Sequence, residues 1–428
     1  MRAVCARRRW AAFLAATIAA AGIAVNGGIS TVAGGAGPST SPYVVLYNPH
    51  VDAYSTTAKL EGSLGFEATA AYQDLDGFSA ELTPTQVQAL SANASVSAVA
   101  PDDAGQLADT LDPGGSVPYD ISRVGAATGT TVDSAASVAV AVLDTGADMS
   151  NPSLTSVRAG KNCAMRGQPI HDGIGHGTAV TGVIAAANNG VGIVGAAPGT
   201  TVYEVQVVNE TGMQKTSWFL CGVDWVIHNA KRDDIRVVNM SLDLQAQVRR
   251  VVAVAIARLE NAGVTVVAAA ANWAADFSSV LPAALPDVLT VTAMAGGSPT
   301  STNGAATFSS FATTPAEAAH TVAAPGVSVY TTGPTYPNLL GLQNYGYLSG
   351  TSLAAPFVTA EVALCYGDAN GPGPCAGLNP PAVQNLIMSD TAAYNALHPT
   401  YGYQGDPAHP IPGKYYGWLV HFGAPLVP

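Results

Sequence analysis

The run Val138-Ala-Val-Ala-Val-Leu-Asp144 constrains this chain more than any other stretch. Six apolar residues without a polar break read as a strand buried on both faces, the environment of a central parallel strand. The run ends in a carboxylate followed by Thr145-Gly146, and groups at the carboxyl ends of parallel strands sit where ligands bind. Further apolar runs follow at Thr201–Val207, Ile235–Met240, Val264–Ala270 and Val288–Met294, interleaved with helical patterns at Ser217–Lys231 and Gln245–Asn261. That alternation predicts an α/β domain, a parallel sheet with helices on both faces.

Two other stretches bring residue types that carry chemistry. Asp172-Gly-Ile-Gly-His176-Gly-Thr-Ala-Val-Thr-Gly182 is a glycine-rich turn feeding a small-residue helix. Ser349-Gly-Thr-Ser352-Leu-Ala-Ala-Pro356 turns at Gly350 and continues as an apolar helix, with Pro356 read as a first-turn residue. Ser352 then sits at a helix N-terminus, where unpaired N–H groups and the positive dipole end favour developing negative charge. Singly, each has an ordinary explanation: a turn aspartate, a structural histidine, a serine cap. Together, in the order Asp144, His176, Ser352, they follow the chain order of subtilisin.

The chain resembles the subtilisin-like serine peptidase family from roughly Ser116 onward. Val237-Val-Asn-Met-Ser241-Leu resembles the family strand that walls the substrate cleft, and Val264-Thr-Val-Val-Ala-Ala-Ala-Ala-Asn272 the strand ending in the oxyanion asparagine. Pro282–Val291 and Val322–Gly326 resemble two further framework segments. The resemblance implies a subtilisin-like fold and a serine endopeptidase with Asp144, His176 and Ser352 as triad and Asn272 in the oxyanion hole. It also implies substrate contacts from Ser241, Leu242, Asp243 and Ala271 on one wall and Gly212 and Met213 on the other. Asp243 and Ala271 stand where the family commonly has glycine, so a side chain at either place is expected to narrow the cleft or to demand positive φ of a non-glycine residue. The rival within the same fold is a weakened relative that only binds peptides. An α/β esterase would need Gly-x-Ser-x-Gly and the order Ser, Asp, His, and the chain has neither around Ser352.

Upstream, residues 1–33 pair Arg2, Arg7, Arg8 and Arg9 with an apolar run from Trp10 to Val25 and small residues after it, which reads as a secretory signal rather than a membrane anchor. Residues 34–102 form the next unit. Strand, helix, hairpin, helix and strand patterns between Tyr43 and Ala100 give a β-α-β-β-α-β order, a small α+β ferredoxin-like fold. Gly77-Phe-Ser-Ala-Glu-Leu-Thr-Pro and Ala98-Val-Ala-Pro-Asp102 resemble the family pro-domain, which implies an intramolecular inhibitor and folding aid. Residues 103–117 are Gly/Pro/Asp-rich and suit a cleavable linker, leaving 118–428 as the catalytic domain.

Seventeen Lys+Arg against 29 Asp+Glu, a net charge of −12, argue against nucleic acid or an anionic membrane as a partner. Protein or peptide substrates, a monomer and an extracellular location are the expectation. Cys5 falls in the signal; the other four cysteines allow three pairings, of which Cys163–Cys221 with Cys365–Cys375 is expected. No cofactor is required for the chemistry and no spacing suggests zinc. Asn188-Asn189-Gly190 resembles part of a family calcium loop, but Ser153 replaces the aspartate ligand expected after Pro152, which speaks against calcium there.

Overall fold

The structure, a computed structural model, describes residues 40–101, 104–105, 110–111, 118–128, 131–132, 135–296 and 303–422. The signal proposed for 1–33 lies outside them. Strand β1 (Ser41–Tyr47), helix α1 (Ala53–Leu64), β2 (Ala68–Tyr72), β3 (Gly77–Leu82), α2 (Pro84–Ser91) and β4 (Val96–Pro101) form an antiparallel sheet ordered β2-β3-β1-β4. The alternation in β1 explains its double burial. Val45 and Tyr47 pack under α1 and α2, while Val44 and Leu46 face the larger domain. Helix α2 starts as the sequence predicts, with Thr83 and Gln86 forming a reciprocal cap ahead of Pro84.

The larger domain is built on β5 (Ala139–Asp144), β6 (Val157–Asn162), α3 (His176–Ala185), β7 (Val202–Gln206), α4 (Thr216–Asn229), β8 (Ile235–Met240), α5 (Arg249–Asn261), β9 (Thr265–Ala269), β10 (Leu289–Ala295), β11 (Thr321–Pro325), β12 (Tyr345–Ser349), α6 (Thr351–Cys365) and β13 (Trp418–Leu419). Eight strands pair in parallel in the order β6-β7-β5-β8-β9-β10-β11-β13. The long apolar runs are explained by this position. Val140 and Val142 of β5 pack toward α3 and α6, whereas Ala141 and Leu143 pack toward α4 and α5. The small domain rests on α4 and α5: Asp224 Oδ1 accepts from the Asp74 and Leu75 amides at 2.7 and 3.1 Å, and Arg258 pairs with Asp76 at 2.7 Å.

Both expected disulfides are present, Cys163–Cys221 tying the segment before His176 to α4 and Cys365–Cys375 closing a short loop. Among the described residues no helix is long and apolar enough to cross a membrane.

Candidate active site

Asp144 ends its strand, Ser241 and Asn272 follow the carboxyl ends of theirs, and the three strands, β5, β8 and β9, are adjacent in the sheet. Helices α3 and α6 pack against each other over the same face, bringing the turns that open them, with His176 and Ser352, to this group. The site is therefore assembled at the carboxyl edge of a parallel sheet, where strand ends leave room for a ligand.

His176 Nδ1 donates to Asp144 Oδ1 at 2.6 Å, with both side chains buried. The same oxygen accepts the Thr145 amide at 2.7 Å. That bond places the imidazole proton on Nδ1 and leaves Nε2 as the basic nitrogen. A second carboxylate shapes the turn. Asp172 accepts from Thr145 Oγ1 at 2.8 Å, from the Gly175 amide at 2.7 Å and from the Thr178 amide at 2.9 Å. Burial pushes the Asp172 carboxyl up, and these bonds oppose it. Gly177 is required by close approach, since a Cβ there would meet the Gly146 carbonyl at 2.1 Å. Asp172 is thus a positioning residue that sequence reasoning left as the start of a motif.

Ser352 is the second residue of α6. Pro356 is the sixth residue of that helix, not a first-turn residue as the sequence reading has it. Lacking an N–H, it cannot bond the carbonyl four residues back, that of Ser352. Ser241 Oγ donates to that carbonyl instead, at 2.8 Å, and accepts from Asn239 Nδ2 at 2.9 Å. The Ser241 side chain is buried and supports the serine turn. The Leu242 side chain is likewise buried in the core.

Asn272 Oδ1 accepts both the amide and the hydroxyl of Thr351, at 2.8 and 3.0 Å. Because both donors meet Oδ1, the amide NH₂ is the end directed away from Thr351. The residue before it, Ala271, has φ +73°, as the missing glycine demands. An L-residue in this region costs about 1–2 kcal/mol. Ala271→Gly is therefore expected to raise the thermal midpoint by a few degrees despite the looser unfolded chain. A lower midpoint in differential scanning calorimetry would contradict that account.

On the opposite wall, Gly212 has φ +78° with open space around it, and Met213 is 44% exposed. Gln214 is buried and its Nε2 donates to the Asp243 carbonyl, linking the two walls. Asp243 is half-buried. The helical segment after it begins at Ala246 with Gln245 at the cap position, so Asp243 lies before the cap rather than at it. Trp273, 47% exposed beside Asn272, is a rim residue that went unnoticed in the sequence; an aromatic directly after the strand-end asparagine was its only signal.

Among the described residues no three His, Cys, Asp or Glu side chains come together as a metal site. In the calcium-like loop, Ser153 Oγ bonds the Val191 carbonyl at 3.0 Å and the Tyr345 hydroxyl at 2.9 Å, so the position of the expected aspartate ligand is taken up by protein–protein hydrogen bonds.

A buried Asp–His pair, a serine at a helix N-terminus and an asparagine docked beside it define a serine hydrolase of the acyl-transfer class. The model of the Subtilase family, Peptidase_S8, matches residues 135–404. Subtilisin E of Bacillus subtilis is 32% identical over 344 residues, covering 78% of this chain and 83% of the relative. The alkaline protease of Shouchella clausii is 32% identical over 347 residues with the same shares. Among solved structures, fervidolysin of Fervidobacterium pennivorans, a keratinolytic enzyme, superposes with a TM-score of 0.67 at 22% identity, covering 91% of this chain and 62% of that one. The chain belongs to the subtilase family and is a subtilisin-type serine endopeptidase.

Proposed function

We propose that Asp144, His176 and Ser352 hydrolyse peptide bonds as a triad, with Asn272 in the oxyanion hole, in a secreted enzyme made as a self-processed zymogen. The 2.6 Å bond between His176 Nδ1 and Asp144 is the observation that carries the chemistry. Ser352 Oγ attacks the carbonyl carbon while His176 Nε2 takes its proton; Asp144 holds the tautomer and stabilises the imidazolium. Asn272 Nδ2 and the Ser352 amide bind the tetrahedral oxyanion at the positive end of α6. The C–N bond then breaks, the amine leaves with the proton from His176, and water repeats the sequence on the acyl-enzyme. Mapping the products of a casein digest by mass spectrometry tests the activity. Uncut casein would favour the peptide-binding reading.

The zymogen reading rests on the linker. Ala104–Gly105 pairs antiparallel with Gln214–Lys215 of one cleft wall, and Thr110–Leu111 pairs with Leu348–Ser349, which lead into the Ser352 turn. A chain held on both sides of a nucleophile is held as a substrate is, so the bond broken in maturation lies between Gly105 and Thr110. The small domain seated on α4 and α5 then acts as the inhibitor. The disulfides support an oxidising, extracellular setting.

Asp243 is the first candidate for substrate selection. Opposite charges about 4 Å apart attract by about 4 kcal/mol at an effective dielectric of 20, before desolvation. Asp243→Gly and Asp243→Asn are both expected to lose preference for Lys or Arg at the contacted substrate position in a peptide library. An unchanged cleavage profile in both variants would leave Ala271 and Met213 as the remaining candidates.

A further inference from the structure

A third acid lies behind the proposed triad. Glu204 is on β7, and strand alternation puts Val202 and Glu204 on the α3 side while Val205 faces α4. The register pairs Glu204 with Val142 and Gln206 with Asp144 on β5, so Glu204 is one same-face step from the residue facing Asp144. Its carboxyl is buried; Oε1 accepts from Thr181 Oγ1 on α3, and Oε2 has no hydrogen-bond partner among the described residues. The second oxygen of Asp144 is in the same condition. Gln206, the other polar side chain on this face of β7, is engaged with the His171 backbone at 2.9 Å.

The charged neighbours on this face are Asp144 from β5, Asp172 from the turn before α3 and His176 from α3. From β6, Arg158 lies over the Tyr203 ring, and Lys161 acts on Asp224, both on the other side of the sheet. Among the described residues no lysine or arginine meets Glu204 there. Burial pushes its carboxyl well above the usual range, Asp144 and Asp172 add to the rise, and the Thr181 bond and His176 oppose it. With a single hydroxyl as partner, a carboxyl buried in this way favours its protonated form, whereas Asp144 is held as a carboxylate by the His176 Nδ1 and Thr145 amide bonds.

We infer that Glu204 is a positioning residue for the catalytic pair: an uncharged carboxyl that ties the His176 helix to the strand beside Asp144 and adds no second negative charge next to the imidazole. This rests on the triad reading above, and the test separates the two. The His176 imidazole titration is followed by NMR in the wild-type protein, Glu204→Gln and Glu204→Leu, alongside kcat and KM on one peptide substrate. Glu204→Leu should lower kcat about tenfold at a KM within about twofold, and Glu204→Gln, neutral and able to keep the Thr181 bond, should restore it. The imidazole midpoint should stay within about 0.3 unit in Glu204→Gln, as exchange of one neutral group for another requires. A midpoint lowered by about one unit in both variants would mean that Glu204 carries a charge, and would overturn the inference. Unchanged kcat in Glu204→Leu would overturn it too, by reducing Glu204 to packing. If Glu204→Leu does not fold, Thr181→Val removes the same tie and should give the same fall in kcat; unchanged kcat there would refute the tie. A wild-type protein that cleaves no peptide would defeat the triad reading, while the imidazole titration would still report on Glu204.

Discussion

Ser352→Ala is expected to accumulate as an uncut precursor and to lose peptidase activity by about 10⁶, the scale of loss when a subtilisin serine is removed. The substitution deletes one oxygen at the start of α6, and the bond from Ser241 goes to the backbone carbonyl, which alanine retains. The fold should therefore survive. The wild-type chain, purified without any other protease, should begin at a residue between Gln106 and Thr110, since the linker is paired at Ala104–Gly105 and again at Thr110–Leu111. Intact-mass measurement and N-terminal sequencing of both proteins give the answer. Normal processing of Ser352→Ala would show that another enzyme makes the cut.

The second large effect is at Asn272. Removing one oxyanion donor from subtilisin costs about 10²–10³ in kcat, and Asn272→Ala is expected to fall in that range with KM within a few-fold. The reason lies in the timing of the contact. The Asn272 NH₂ binds an oxyanion that exists only in the transition state, so its loss raises the barrier without weakening the ground-state complex. Oδ1, on the Thr351 amide, has a separate structural task. Asn272→Ala also strips that acceptor from the first turn of α6, so a modest fall in thermal midpoint should accompany the kinetic change. A variant with wild-type kcat would place the oxyanion hole elsewhere.

Much of this architecture was legible in the chain because its signals are local. The run ending at Asp144 could only be a strand covered on both faces, and the Thr83–Gln86 cap announces α2 before any contact is known. The unread parts are tertiary. Nothing near Pro356 says that its missing N–H leaves the Ser352 carbonyl to a hydroxyl 111 residues earlier in the chain, so the structural task of the Ser241 side chain was not legible. Glu204 sits in Val-Tyr-Glu-Val-Gln, where polar residues two apart normally mark a solvated face; here that face is covered by α3.

The central claim is that Ser352 is a nucleophile activated by His176 and Asp144. A fluorophosphonate probe reacts with a serine only when its hydroxyl is activated and an oxyanion site is present, so it reads the whole constellation at once. Labelling the processed protein and mapping the adduct by mass spectrometry should find one modified residue, Ser352, with labelling abolished in His176→Ala. An adduct on any other serine, or none on a folded and processed protein, would contradict the claim.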